Sequence, residues 1–157
     1  MKQKYIREAK PYWDSGDPLK AGAILYEHIR RVHRPLWALE VLKLCKNLTN
    51  PIDEIEEVCR IIRTPTIWVE AHEAFSSVRE LTLKAENSSS DPIYTGILYL
   101  AENVAKVTYN ASGEPAPFDH NCGYWIVSNL RHIVDHLGDK DFENKAWYVV
   151  SCGKYSK

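Results

Sequence analysis

The four cysteines of this chain form no C-x-x-C pair, and no stretch stays apolar for the roughly 18 residues a membrane-spanning helix needs. The first absence argues against paired-thiol redox and zinc-ribbon motifs. It leaves Cys45, Cys59, Cys122 and Cys152 to be read as small hydrophobes, three of them in or beside apolar stripes. The second argues against a helical membrane protein. Met1 to Trp13 is charged and has no apolar h-region, so no secretory signal is read there. The expectation is a reduced, cytoplasmic protein in which the triplets at Asn47, Asn87 and Asn110 have no glycosylation meaning. There is also no Gly-rich phosphate loop, no G-x-S-x-G elbow and no H-E-x-x-H; His72-Glu73 lacks the second histidine.

What the chain does have is punctuation. Pro18, Pro35, Pro51, Pro65 and Pro92 each stand directly before a run with helical apolar spacing. Proline has a fixed φ and no N–H, so it suits the first helical turn and disrupts the interior. Asp17, Asn50, Thr64 and Asp91 precede four of these prolines, and all are capping residue types. The spacing predicts helices from Lys2 to about Tyr12, Pro18 to about Arg31, Pro35 to about Leu48 and Pro51 to about Ile62. Further helices follow from Pro65 to about Ala85, Pro92 to about Asn110, Asp119 to Gly138, and Asp141 to Val150. Residues 87–91 read as a loop. The fold class expected is all-α: a compact multi-helix bundle of about seven to eight helices forming one domain over 1–157. An α-solenoid-like array is the alternative. The third helix, apolar over most of its circumference, is expected at the centre.

Net charge is −1 but unevenly spread. Residues 1–46 carry ten Lys/Arg against five Asp/Glu; residues 47–102 carry four against ten. Either the basic part packs beside the acidic middle, or each attracts a partner; the first is the expectation. The basic cluster His28, Arg30, Arg31, His33 and Arg34 falls between helices two and three, where phosphate or an acidic partner would fit. A nucleic acid is not favoured as partner, because the chain as a whole is not basic.

Two constellations carry chemistry. Along helix six run Tyr99, Glu102, Asn103, Lys106 and Asn110, with Tyr109 beside them; the following loop and helix add Asp119, His120, Asn121, Tyr124 and Trp125. Asparagine is a mediocre helix former, so two on one face invite a functional explanation. A cavity bordered by Asn103, Lys106, Tyr109 and His120 is the expectation of a small-ligand binder. The plainer reading is a wetted face with Glu102 and Lys106 as an i, i+4 ion pair.

The second constellation is Arg131-His132-Ile133-Val134-Asp135-His136. It resembles the R-[polar]-x-x-x-H signature of HEPN ribonucleases, small all-helical dimers that cut RNA without metal. The resemblance implies that Arg131 stabilises phosphorane-like charge and His136 moves protons, both suited to phosphodiester cleavage. In a regular helix five residues span about 500°, so these two side chains diverge by about 140° and converge only across a bend or a helix start. The same segment reads as a polar outer face of Ser128, Arg131, His132 and Asp135. His132 and His136 have the i, i+4 spacing of metal ligands, but neither His120 nor Asp119 completes a recognised motif, so no metal and no cofactor are expected. The leading expectation is a non-enzymatic protein-binding or adaptor domain. The HEPN-like ribonuclease and the small-ligand binder are the rivals.

Overall fold

The computed structural model describes residues 2–62, 68–88, 91–111 and 121–157, which hold eight α-helices. They are α1 (Lys2–Asp14), α2 (Pro18–Glu27), α3 (Arg34–Lys46), α4 (Asp53–Ile62), α5 (Trp68–Ser88), α6 (Pro92–Ala111), α7 (Cys122–Leu137) and α8 (Lys140–Val150). Short 3-10 turns occupy Arg31–His33 and Gly153–Tyr155. Among the described residues there is no strand, only one antiparallel bridge between Ile29 and Ser156. None of their helices is long and apolar enough to cross a membrane. The all-α expectation holds. Helix α2 packs on α7, and α3 touches α4, α6, α7 and α8. Contacts between elements so far apart in sequence belong to a compact bundle, not to an array of successive repeats.

Local chemistry explains most of the boundaries. The Asp17 carboxylate accepts from the Lys20 N–H at 3.3 Å, with Pro18 as the first residue of α2. Asp91 accepts from the N–H groups of Ile93 and Tyr94 at 3.0 and 3.3 Å, ahead of α6. Gly138 closes α7 in the left-handed region at φ 68, its N–H donating to the Val134 carbonyl at 3.1 Å. Asp139 then caps α8.

Other boundaries differ from expectation. Helix α2 stops at Glu27, four residues short of Arg31. There the Arg30 N–H donates to the Tyr155 carbonyl at 3.1 Å and the Lys157 N–H to that of His28 at 2.8 Å, which pulls the chain out of helical geometry. Helix α4 starts at Asp53, two residues after Pro51, because the Ile52 carbonyl receives the first helical N–H groups, from Ile55 and Glu56. Helix α1 runs on to Asp14 with Pro11 inside it; the carbonyl left without a donor belongs to exposed Arg7. The helix-five start at Thr64-Pro65 and the Asp119 cap lie outside the described residues.

The core has two rods at its centre. Trp37, Val41, Leu42 and Cys45 of α3 are fully enclosed, as expected, and the Trp37 indole donates to the Val150 carbonyl at 3.0 Å. Helix α6 is enclosed even more completely. Between Ile97 and Tyr109 only Tyr99 and Lys106 escape burial, since α3, α4, α5 and α7 all pack against it. That placement puts polar residues of α6 where solvent reaches them only through a cleft.

Candidate functional site

The cleft lies between α5, α6 and α7 and has a volume of about 580 Å³. Phe75 and Arg79 come from α5, one turn apart. Tyr99, Glu102, Asn103 and Lys106 come from α6, and Cys122, Trp125 and Asn129 from α7. Each helix contributes through its i, i+3 or i+4 neighbours, the spacing that aligns side chains on one face.

Glu102 is the unusual member. It is 4% exposed, yet it carries a carboxylate. Arg79 Nη1 lies 3.3 Å from Glu102 Oε1 and 4.0 Å from Glu86 Oε1. Burial pushes the Glu102 carboxyl above the usual range, against the opposing pull of Arg79, Thr82 and Lys106. The simple Glu102–Lys106 surface pair is therefore corrected: Glu102 is inside, Arg79 is its closest cation, and Lys106 lies 5.2 Å from the centre of the Phe75 ring. Tyr99 donates its hydroxyl proton to Glu86, which raises the Tyr99 value.

Asn103 Nδ2 donates to the Tyr99 carbonyl at 3.1 Å and to Asn129 Oδ1 at 2.8 Å. That arrangement leaves the Asn103 carbonyl oxygen and the Asn129 amide N–H groups to the cleft. Trp125, 43% exposed, supplies a flat apolar wall beside them.

The residues singled out in the sequence divide. Asn103 and Lys106 line this cleft, with Tyr99, Glu102 and Trp125. Tyr109 is buried behind it, 6.3 Å from the His72 ring. Tyr124 faces the other way: it meets Tyr26 edge-on at 5.9 Å and donates to Glu27. The Asn110 side chain, Asp119 and His120 lie outside the described residues. Sequence reasoning missed Phe75, Arg79, Cys122 and Asn129. The i, i+4 pairs Phe75/Arg79 and Trp125/Asn129, each a ring beside a polar group, were the available signal.

Arg131 and His136 sit on one regular stretch of α7, with the 140° divergence of an unbent helix. The Arg131 guanidinium bonds Asp135 Oδ1 at 2.7 Å and Glu143 Oε1 at 3.0 Å and lies 4.9 Å from the centre of the Trp13 ring. His136 meets His132 edge-on at 4.3 Å. Partial burial and the neighbouring His136 hold the His132 imidazole below its usual value. Among the described residues no group of three His, Cys, Asp or Glu is placed to hold a metal ion.

No family model, no curated protein and no solved structure matches this chain. Its chemistry rests on its own geometry.

Proposed function

We propose that this chain is a non-catalytic, cytoplasmic binding protein, and that the α5–α6–α7 cleft receives a small ligand with a flat ring and an acidic group. The observation that carries this reading is the convergence of Arg79, Lys106 and the Asn103–Asn129 amide pair beneath exposed Trp125. A volume of about 580 Å³ falls within the range of small-molecule sites. Cations and amide N–H groups fix an anionic group; the indole face holds a ring by stacking. Glu102 supports the same reading, because an incoming anion competes for Arg79 while the carboxyl, already raised by burial, takes up a proton. The cytoplasmic setting fits four cysteines that are all free thiols.

The test is amide-resolved NMR titration with benzoate, nicotinate and indole-3-carboxylate. Shifts should concentrate on the side-chain amides of Asn103 and Asn129 and on the Trp125 indole. Trp125→Ala and Asn103→Ala should each weaken binding by about tenfold, the worth of one well-placed contact of about 1.4 kcal/mol. Shifts scattered over the surface, or affinities that ignore both substitutions, would refute the assignment.

A further inference from the structure

A second surface is built where three chain segments meet at the far end of α2. His28 stacks on Tyr5 of α1 with ring centres 4.3 Å apart. Ile29 pairs with Ser156, and the backbone bonds Arg30–Tyr155 and Lys157–His28 fix residues 154–157 alongside the α2–α3 junction. The basic cluster is thereby enlarged by Lys154 and Lys157, which are distant in sequence. Arg30, Arg31, Lys154 and Lys157 are all exposed.

Arg30, Arg34, Lys154 and Lys157 make no ion pair among the described residues; Arg34 lies 4.1 Å from the centre of the Tyr26 ring and donates to the Tyr26 carbonyl at 3.4 Å, and Lys154 lies 4.9 Å from the centre of the Tyr155 ring. The nearby carboxylates are Glu27, which accepts from the Tyr124 hydroxyl, and Glu40, whose charge reaches Lys154. Among the described residues one ion pair, Lys46–Glu56 at 2.8 Å, joins the basic first 46 residues to the acidic stretch 47–102. Among the described residues three buried side-chain nitrogens make no hydrogen bond, Trp13 Nε1, His33 Nδ1 and Arg34 Nε, two of them at this corner. Between the cations, Val32 is 73% exposed and Leu36, one turn on, 39% exposed.

We infer that this corner docks a short acidic segment of a partner protein, whose carboxylates meet Arg30, Arg34, Lys154 and Lys157 and whose apolar side chains cover Val32 and Leu36. A carboxylate-bearing peptide fits better than a nucleic acid. The cations are clustered at one end of a molecule of net charge −1, so a long polyanion running past them meets repulsion. A peptide also offers aliphatic side chains to the exposed valine and leucine. The inference is independent of the cleft.

The experiment is fluorescence anisotropy on the full chain at low salt. The probe is a fluorescein-labelled peptide of Glu and Asp with two interspersed leucines; an oligothymidylate of equal length is the comparison. The peptide should bind, should weaken as salt rises, and should lose about tenfold or more in affinity with Arg30→Glu/Lys154→Glu, since each reversal replaces an attraction by a repulsion. Val32→Ser should weaken it by about threefold. Lys84→Glu, an exposed reversal on α5, should leave it unchanged, and circular dichroism should show each variant folded. Three results would overturn the inference: no peptide binding at low salt, binding indifferent to the double reversal, or tighter binding of the oligothymidylate than of the peptide.

Discussion

Removing Arg79 should destabilise the protein at neutral pH and hardly at all in mild acid. Glu102 is 4% exposed, and Arg79 is its closest cation at 3.3 Å. Breaking a fully buried pair by deleting one member costs about 3–5 kcal/mol, because an uncompensated charge remains inside. Two features reduce that figure here. Thr82 and Lys106 still favour the carboxylate. The carboxyl also has an escape: it can take a proton, at about 1.4 kcal/mol per pH unit between solution pH and its own pKa, and burial has already raised that pKa. The loss for Arg79→Ala at pH 7 should therefore be about 2 kcal/mol, or about 4–8 °C in Tm for a chain of this size.

The pH dependence follows from linkage. A folded-state value above the unfolded one means that the folded protein holds this proton more tightly. The stability so contributed is complete below the ordinary carboxylate range and is lost as pH rises through the raised value. Without Arg79 that value rises further, so more stability is lost on the way to neutrality. Near pH 4, below the raised value, the carboxyl is mostly protonated with or without Arg79. The arginine, 42% exposed in its side chain, then contributes no more than an ordinary surface group, below about 1 kcal/mol. Glu102→Gln should cost little at pH 7, because Arg79 returns to water and no charge is left buried. In the double variant most of the Arg79→Ala loss should disappear. Thermal melts of all four proteins at pH 4 and pH 7 decide the matter. An Arg79→Ala loss equal at both pH values, or a Glu102→Gln loss as large as that of Arg79→Ala, would refute the reasoning.

Gly22→Ala would place a Cβ 2.7 Å from the Tyr124 carbonyl oxygen and 3.0 Å from its Cα, backbone atoms that cannot rotate away. Helix α2 must then lift from α7; a loss of about 2 kcal/mol in urea unfolding should outweigh the gain of about 1 kcal/mol in helix propensity, and an unchanged midpoint would disprove the close approach. Arg131→Ala should cost about 2 kcal/mol through lost contacts to Glu143, Asp135 and the Trp13 ring, and Arg131→Lys should recover only part of it, because a point charge cannot reproduce the fork. A wild-type melting temperature for Arg131→Ala would show that these contacts do not hold the fold. Cys152 is half-buried while Cys45, Cys59 and Cys122 are enclosed, and burial pushes the Cys45 thiol up to about 12. Ellman's reagent should titrate one thiol quickly in the native protein and all four after denaturation, and Cys152→Ser should abolish the fast phase; a second fast thiol would contradict the burial pattern.

Helix starts were legible where a side chain caps its own helix, as Asp17 and Asp91 do, and the stop at Gly138 needed only a residue tolerant of positive φ. The end of α2 was not legible, because it is imposed by Tyr155 and Lys157, more than a hundred residues away. The cleft was half legible. Asparagine in a helix marked Asn103, but nothing local says that α5 lays Phe75 and Arg79 against that face, a choice made by apolar stripes packing in three dimensions. Glu102 looked like half of a surface ion pair since Lys106 stands four residues on. Only the enclosure of α6 by its neighbours makes it a buried acid.

Three arginines show how bonding separates structural from available charge. Arg131 is held by two carboxylates and a ring, and its side chain is 17% exposed; three of its five N–H groups are bonded, and it braces α7 against α1 and α8. Arg79 holds one buried carboxylate from a half-open position, so an anion that reaches it displaces a group able to accept a proton instead. Among the described residues Arg30 makes no ion pair, and neither do Lys154 and Lys157 beside it. Desolvating a guanidinium is costly unless a carboxylate or phosphate meets it, and a cluster of like charges adds repulsion that any bound anion relieves. The access of an incoming anion therefore rises from Arg131 to Arg79 to Arg30, although an exposed pair at Arg30 adds no more than about 1 kcal/mol by itself. The cleft and the corner proposed above as recognition surfaces are where the less committed arginines stand.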